Sequence, residues 1–330
     1  MTAVSVAVET TIASAELSVG VVICTYNEQR WNWLCAAVAA VQAQTRRCDE
    51  LLIVVDHNET LLQRARAAFA AATVLPNEQR SGLAGARNAG VSRSSSDIIV
   101  FLDDDAVAEP DCLENLVEAY SDPRVLGAGG AALAVWPNER PSWFPEEFNW
   151  VVGCAYTGLP QKTGPVRNPI GACMSFRRTT FDRAGEFTYG IGRTADDRMG
   201  CEETEFSIRA QQLVPGGVVL YVPGARVQHH VDAGQQGWRH FMRRCYAEGR
   251  SKAVVAGEVG SRDALASEWP YAVRVLSAGA LRGVRDAAGG RPAGLLRAAN
   301  IGAGLGATTC GYLSGRVRAH REQRRRVGGR

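Results

Sequence analysis

Three apolar, largely β-branched runs punctuate the first third of the chain: VGVVIC at 19–24, LLIVV at 51–55 and DIIVFL at 97–102. Continuous runs of this length are expected of strands buried on both faces, because a strand with one wet face alternates apolar and polar residues instead. The stretch WNWLCAAVAAVQAQ after the first run and TLLQRARAAFAAA after the second are rich in helix formers. Strand–helix–strand alternation predicts an α/β fold with a mostly parallel, doubly wound sheet flanked by helices. In such sheets ligands bind beyond the carboxyl ends of the strands. Those ends carry Thr25-Tyr26-Asn27-Glu28, Asp56-His57-Asn58 and Asp103-Asp104-Asp105, so three polar edges converge on one side.

The second half is less regular. Residues 136–170 are rich in Pro, Trp and Gly, the pattern of an irregular region that shapes an acceptor site. A helix is expected around GCEETEFSIRAQQL, a late strand at 218–221, and a helix over WRHFMRRCYAEGRSKAV. With no repeat or low-complexity linker, the expected organisation is a disordered leader (1–17), one catalytic domain (18–252) and a helical C-terminal extension (253–330).

Composition narrows the setting. Nine dispersed cysteines without a CxxC pair fit buried thiols in a reducing compartment, not a disulfide framework or zinc site. The leader lacks the basic and apolar regions of a secretory signal, so a cytoplasmic location is expected. The uncharged stretch 298–315 is built from Gly, Ala and Thr and falls short of a membrane span. It runs into seven arginines and one glutamate over 316–330, a net charge of +6. Two readings stand: an element lying on the inner face of the cell membrane, or a packed helix with a solvated basic tail. Nucleic acid is not an expected partner.

Four constellations carry candidate chemistry. Asp103, Asp104 and Asp105 crowd negative charge at a strand end, which is costly without compensation. Mg²⁺ or Mn²⁺ supplies it with oxygen ligands, and strand alternation lets the first and third carboxylates point the same way. SGLAGARNAG (81–90) permits close backbone approach, with Arg87 able to face a pyrophosphate and Asn88 to fix a loop; it lacks the Lys-Ser/Thr pair of a P-loop. Glu202, Glu203 and Glu205 fall within one helical turn, where mutual repulsion raises pKa and suits a carboxylate to general-base work. Val227-Gln228-His229-His230 offers an imidazole, with either histidine open as a metal ligand.

In this order the motifs VVICTYNE, VVD, GLAGARNAG, FLDDDA, NPIGACMSFRR, the EE-T-E segment and V-Q-H-H resemble the family 2 glycosyltransferases of the GT-A fold, over roughly residues 18–252. The FMRRCYAEGRSKA stretch is similar to members that act on lipid-linked or polyprenyl-phosphate acceptors. The resemblance implies that Thr25, Tyr26, Asn27 and Glu28 line a nucleotide pocket and that Asp56 binds the base, usually uracil. It places Arg87 and Asn88 near the ribose and pyrophosphate, and has Asp103 and Asp104 bracket the nucleotide. Asp105 would hold the metal, with Asp103 and His229 adding contacts. Glu203 aligns with the residue that deprotonates the acceptor, with Glu202 as its rival. The implied reaction is an inverting transfer from a nucleotide-diphospho-sugar, UDP-linked by expectation, to a hydroxyl or phosphate of a glycan, lipid-linked or small-molecule acceptor. The competing expectations are a sugar-phosphate nucleotidyltransferase and a non-catalytic nucleotide-sugar-binding relative.

Overall fold

The computed structural model describes residues 17–191 and 200–328, with side chains as far as residue 321. The expected leader, but for its last residue, and the last four arginines of the tail therefore lie outside the described side chains. A single sheet contains β1 (Val19–Thr25), β2 (Glu50–Val55), β3 (Thr73–Pro76), β4 (Ile98–Asp103), β5 (Ala106–Ala108), β6 (Val125–Val135), β7 (Gly164–Val166), β8 (Cys173–Arg177) and β9 (Val218–His230). The strand order is β3-β2-β1-β4-β8-β6-β9-β5, with β7 also on β9.

The amino-terminal half is parallel, as the buried runs predict: β1 pairs with β2 and β4, and β2 with β3. Beyond β4 the sheet is mixed, because β8 runs antiparallel to both β4 and β6 while β6 and β9 are parallel. The late strand is much longer than residues 218–221, and it takes both His229 and His230 into the sheet instead of leaving them after it.

Helices α1 (Trp31–Gln42), α2 (Glu59–Ala68), α3 (Leu83–Arg93), α4 (Cys112–Glu118), α5 (Arg178–Ala184) and α6 (Glu202–Leu213) cover the two faces. One face packs Leu34, Val38 and Val41 of α1 with Leu61 of α2 and Leu116 of α4 on β1, β2 and β4. The other packs α3, α5 and α6 around Phe101, Phe176, Phe181, Phe187 and Phe206. Gly90 of SGLAGARNAG serves this second layer. A Cβ on Gly90 would sit 2.5 Å from Val22 Cγ1 of β1, so a side chain there would force the helix off the sheet.

The chain then runs through α7 (Trp238–Glu258), α8 (Ser261–Ala264), α9 (Glu268–Pro270), α10 (Ser277–Ala288) and α11 (Ala293–Gly328). Helix α11 packs along α7 and α10. Phe144, Phe148, Phe241 and Ile301 form a separate core that joins the 136–170 region to this helical unit. Residue 252 lies inside α7. Among the described residues no helix is long and apolar enough to cross a membrane.

Candidate active site

The carboxylate triplet begins at the last residue of β4 and turns directly into β5. Residue Ala106 of β5 pairs with His229 of β9, and the His230 amide donates to the Asp105 carbonyl at 2.9 Å. This register brings the His229 ring to the triplet, with Nε2 3.2 Å from Asp105 Oδ1. Ligand atoms of Asp103, Asp105 and His229 all lie within 4.8 Å of one another. Two carboxylates and an imidazole so disposed fit a divalent cation, with room in its shell for phosphate and water. His230 goes elsewhere and stacks on Trp33 at 5.7 Å.

The third carboxylate has a different task. Asp104 accepts from Thr25 Oγ1 at 2.7 Å and pairs with Arg30 Nη1 at 2.7 Å, and the same Arg30 nitrogen reaches Asp105 Oδ2 at 3.0 Å. Burial pushes the Asp104 carboxyl up to about 6; Arg30 opposes this and neighbouring Asp105 adds to it. On His229, burial disfavours the charged ring, but Asp105 and the Cys154 thiol overcome it and hold its pKa well above the usual value. The triplet thus carries its own counter-charges: the Arg30 guanidinium on Asp104 and Asp105, and the His229 ring beside Asp105; Arg87 adds a second guanidinium at Asp103. Arg30 was missed by sequence reasoning; it stands in the TYNEQRW run, where only a contact 74 residues away gives it meaning.

Removal of that guanidinium leaves two buried carboxylates short of a cation. Arg30→Met is expected to lower stability in EDTA by about 3 kcal/mol, and Mn²⁺ should restore much of the loss. Chemical denaturation with and without the ion measures both terms; equal stability of variant and parent in EDTA contradicts the pairing.

Arg87 lies beneath the site. It is 2% exposed, with Nη1 2.5 Å from Glu202 Oε1, Nη2 3.3 Å from Asp103 Oδ1, and a third bond to the Gly171 carbonyl. One buried guanidinium therefore ties the Asp103–Asp105–His229 cluster to the start of α6. Asn88 is also fully buried; its amide nitrogen donates to the Phe187 carbonyl and its oxygen accepts from the Phe187 amide, which fixes that loop. Glu205 is engaged by Arg209 at 2.6 Å, an i,i+4 pair.

Glu203 is left. Cys201, which precedes α6, adopts a left-handed backbone at φ 80°, a conformation that costs energy for a residue with a side chain and recurs at functional sites. The turn presents Glu202 inward to Arg87 and leaves Glu203 half-buried. Burial, then the charge of Glu202, raises the Glu203 carboxyl to about 7, and Arg87 only partly opposes them. A carboxylate poised near neutrality is what proton abstraction from a hydroxyl requires.

The first-strand edge is more open. Tyr26 is 55% exposed, Asn27 caps a short turn by accepting from the Gln29 amide at 3.0 Å, and Glu28 is exposed. At the second edge the Asp56 carboxylate accepts from Asn77 Nδ2 at 2.6 Å and from the Gly82 amide at 3.0 Å.

The sequence profile named "Glycosyl transferase family 2" matches residues 20–185. A glucosyl-dolichyl phosphate glucuronosyltransferase of Haloferax volcanii is 33% identical over 243 residues, which is 72% of this chain and 77% of that one. The chain belongs to glycosyl transferase family 2. Among solved structures, a mannosyltransferase from Pyrobaculum calidifontis in complex with GDP-Man and Mn²⁺ superposes with a TM-score of 0.58 at 17% identity, over 90% of this chain and 87% of that one. GalNAc-T7 with UDP, GalNAc and Mn²⁺ gives 0.51 at 20% identity, over 70% of this chain and 47% of that one. These likenesses establish the GT-A fold for this family 2 member. The chain is also similar to a protein whose name marks it inactive. An inactive polypeptide N-acetylgalactosaminyltransferase-like protein of Macaca fascicularis is 26% identical over 63% of this chain and half of its own length.

Proposed function

We propose that this family 2 protein is an active, inverting glycosyltransferase that moves a sugar from a nucleotide-diphospho-sugar, UDP-linked, to a hydroxyl of a lipid-linked acceptor. One observation carries the reading: Arg87 contacts Asp103 at 3.3 Å and Glu202 at 2.5 Å, so a cation-binding cluster and a carboxylate raised to about 7 belong to one charged assembly. A decayed relative would have no reason to keep both.

Asp103, Asp105 and His229 would hold the cation. When bound, a divalent ion neutralises charge on the departing diphosphate. The imidazole in the donor set favours Mn²⁺ over Mg²⁺, since nitrogen ligands suit the transition metal better. Asp56, fixed by Asn77 and Gly82, offers a pure acceptor to an N–H of the base, the complement of uracil. Thr25, Tyr26, Asn27 and Glu28 border the same cleft. Glu203 takes the proton of the acceptor hydroxyl as its oxygen bonds to the anomeric carbon. The bond from that carbon to the diphosphate oxygen breaks on the opposite face. Glu202, bound by Arg87, positions that base. The Haloferax relative's name supports a lipid-phosphate acceptor. A nucleotidyltransferase would release inorganic diphosphate from a nucleoside triphosphate, which product analysis separates from nucleoside diphosphate.

A thermal-shift panel of nucleotide sugars tests the donor. Ligand at about 100 times its Kd stabilises by about 2.7 kcal/mol, so a UDP-sugar with Mn²⁺ is expected to raise Tm by several degrees, and less in EDTA. No shift with any nucleotide sugar, in Mn²⁺ or Mg²⁺, contradicts the proposal.

The C-terminal unit supports a membrane-surface location. Leu281 and Val284 of α10 and Leu295, Leu313 and Val317 of α11 are about half exposed, on helices that also carry Arg282, Arg285, Arg297 and Arg316. Apolar side chains interspersed with arginines suit an anionic lipid surface. We infer a position on the cytoplasmic face of the cell membrane, where a lipid-linked acceptor would be met. Co-sedimentation with anionic vesicles should fall sharply for Leu295→Glu combined with Leu313→Glu; unchanged sedimentation contradicts the docking.

A further inference from the structure

A second buried charge cluster adjoins Glu203 and has no part in the reaction above. The Cys201 thiol, two residues before Glu203, donates to Glu248 Oε1 of α7 at 3.3 Å. Along the same helix Arg244 and Lys252 flank Glu248, each 3.3 Å from one of its oxygens. Lys252 Nζ also lies 2.7 Å from Glu268, and Arg167 Nη1 reaches the same Glu268 oxygen at 2.7 Å. Among the described residues three cations thus share two carboxylates in a place where Arg244 is only 11%, Glu248 13% and Lys252 15% exposed.

The shortage falls on Arg244. Glu268 is fully engaged by Lys252 and Arg167, and Glu248 is divided between Arg244 and Lys252 at lengths too great for strong hydrogen bonds. Among the described residues Arg244 Nε and Nη1 are buried and make no hydrogen bond. A guanidinium has five N–H donors, and burying them without acceptors is costly. A ligand anion would supply the acceptors that the described residues leave out.

We propose that Arg244 and Lys252 seat a phosphate or phosphodiester of the acceptor, whose sugar hydroxyl faces Glu203. The proposal rests on the assignment of Glu203 as the base. A phosphoryl group presents several oxygens to the fork of Arg244 and the point charge of Lys252 together, which a carboxylate does less well. The seat differs from the donor site in its residues: Arg244 and Lys252 belong to α7 and contact none of Asp103, Asp104 and Asp105 in the ion pairs described.

Calorimetric titration of the full chain in EDTA tests the seat, because the chelator removes cation-dependent phosphate binding at the triplet. The probes are inorganic phosphate, glucose 1-phosphate, farnesyl phosphate below its micellar concentration, and glucuronate as the carboxylate control. Wild type is expected to bind glucose 1-phosphate more tightly than glucuronate, and Arg244→Met to weaken it by about tenfold or more. Arg244→Lys keeps the charge without the fork and should fall between; thermal melts confirm that both variants fold. Tighter binding of farnesyl phosphate than of glucose 1-phosphate assigns the seat to a lipid phosphate, and equal binding to a soluble sugar phosphate. Equal affinity of Arg244→Lys and wild type, preference for glucuronate, or no heat with any phosphate overturns the proposal. UDP with Mn²⁺ is titrated in parallel and should bind all three chains alike. If wild type fails that titration while phosphate binding still follows Arg244, the donor reading fails and the seat stands.

Discussion

Glu203→Gln is expected to lower kcat by about 10²–10⁴-fold, the usual contribution of a positioned general base, with donor affinity unchanged. The amide is nearly isosteric with the acid and does not touch the Arg87 pairs, so folding should survive. The parent enzyme should gain activity as pH rises through about 7, where the Glu203 carboxyl ionises. The sign follows from the chemistry: only the carboxylate accepts a proton, and burial together with Glu202 holds the acid form to higher pH than usual. The residual activity of Glu203→Gln should lack that rise. Glu202→Gln has another signature, because it strips the fully buried Arg87 of its 2.5 Å partner. There the main loss should be stability, about 3–5 kcal/mol by denaturation. Wild-type turnover in Glu203→Gln, or a flat pH profile in the parent, would remove Glu203 from its role.

The second large effect is that of Asp105→Ala, expected to cost about 10³-fold in turnover, in line with the several kcal/mol a metal contributes to charge stabilisation. Asp105 faces both His229, at 3.2 Å, and Arg30, at 3.0 Å, so its loss dismantles the ligand cluster while Asp104 keeps Arg30 and Thr25. Stabilisation by Mn²⁺ should disappear along with activity. His229 should lose its raised pKa, because the carboxylate that holds the proton on its ring is gone. Full activity of Asp105→Ala in excess EDTA would exclude the cation from the mechanism.

Much of this was legible in the sequence where one element suffices to define it. Runs such as VGVVIC and DIIVFL declare strands buried on both faces, and their carboxyl ends expose the triplet without further information. Strand β6 was not legible. Its VLGAGGAALAV is poor in β-branched residues, and it is a strand because of its neighbours: a Cβ on Gly127 would meet Phe176 Cδ1 at 2.5 Å, so small residues are demanded by packing and not by propensity. The turn to a mixed sheet follows from β8, whose direction no local pattern encodes. Neither could spacing choose between His229 and His230. The register of β9 on β5 decides it, since adjacent residues of a strand point to opposite faces. Arg87 illustrates the converse. A basic residue in a Gly-rich turn reads as a phosphate ligand, yet its partners Glu202 and Asp103 lie 115 and 16 residues away, and the fold buries it beneath the site. The α7 cluster was equally hidden, because its charges meet partners from α9 and from the segment before β8.

The most direct test of the central claim is acceptor-dependent release of nucleoside diphosphate from a UDP-sugar by the purified full chain, with a short-chain polyprenyl phosphoglycoside as acceptor and Mn²⁺ or EDTA present. The account predicts release that requires acceptor and Mn²⁺, disappears in EDTA, and is lost in Glu203→Gln. Equal release in EDTA, or release in Glu203→Gln at the wild-type rate, would contradict it.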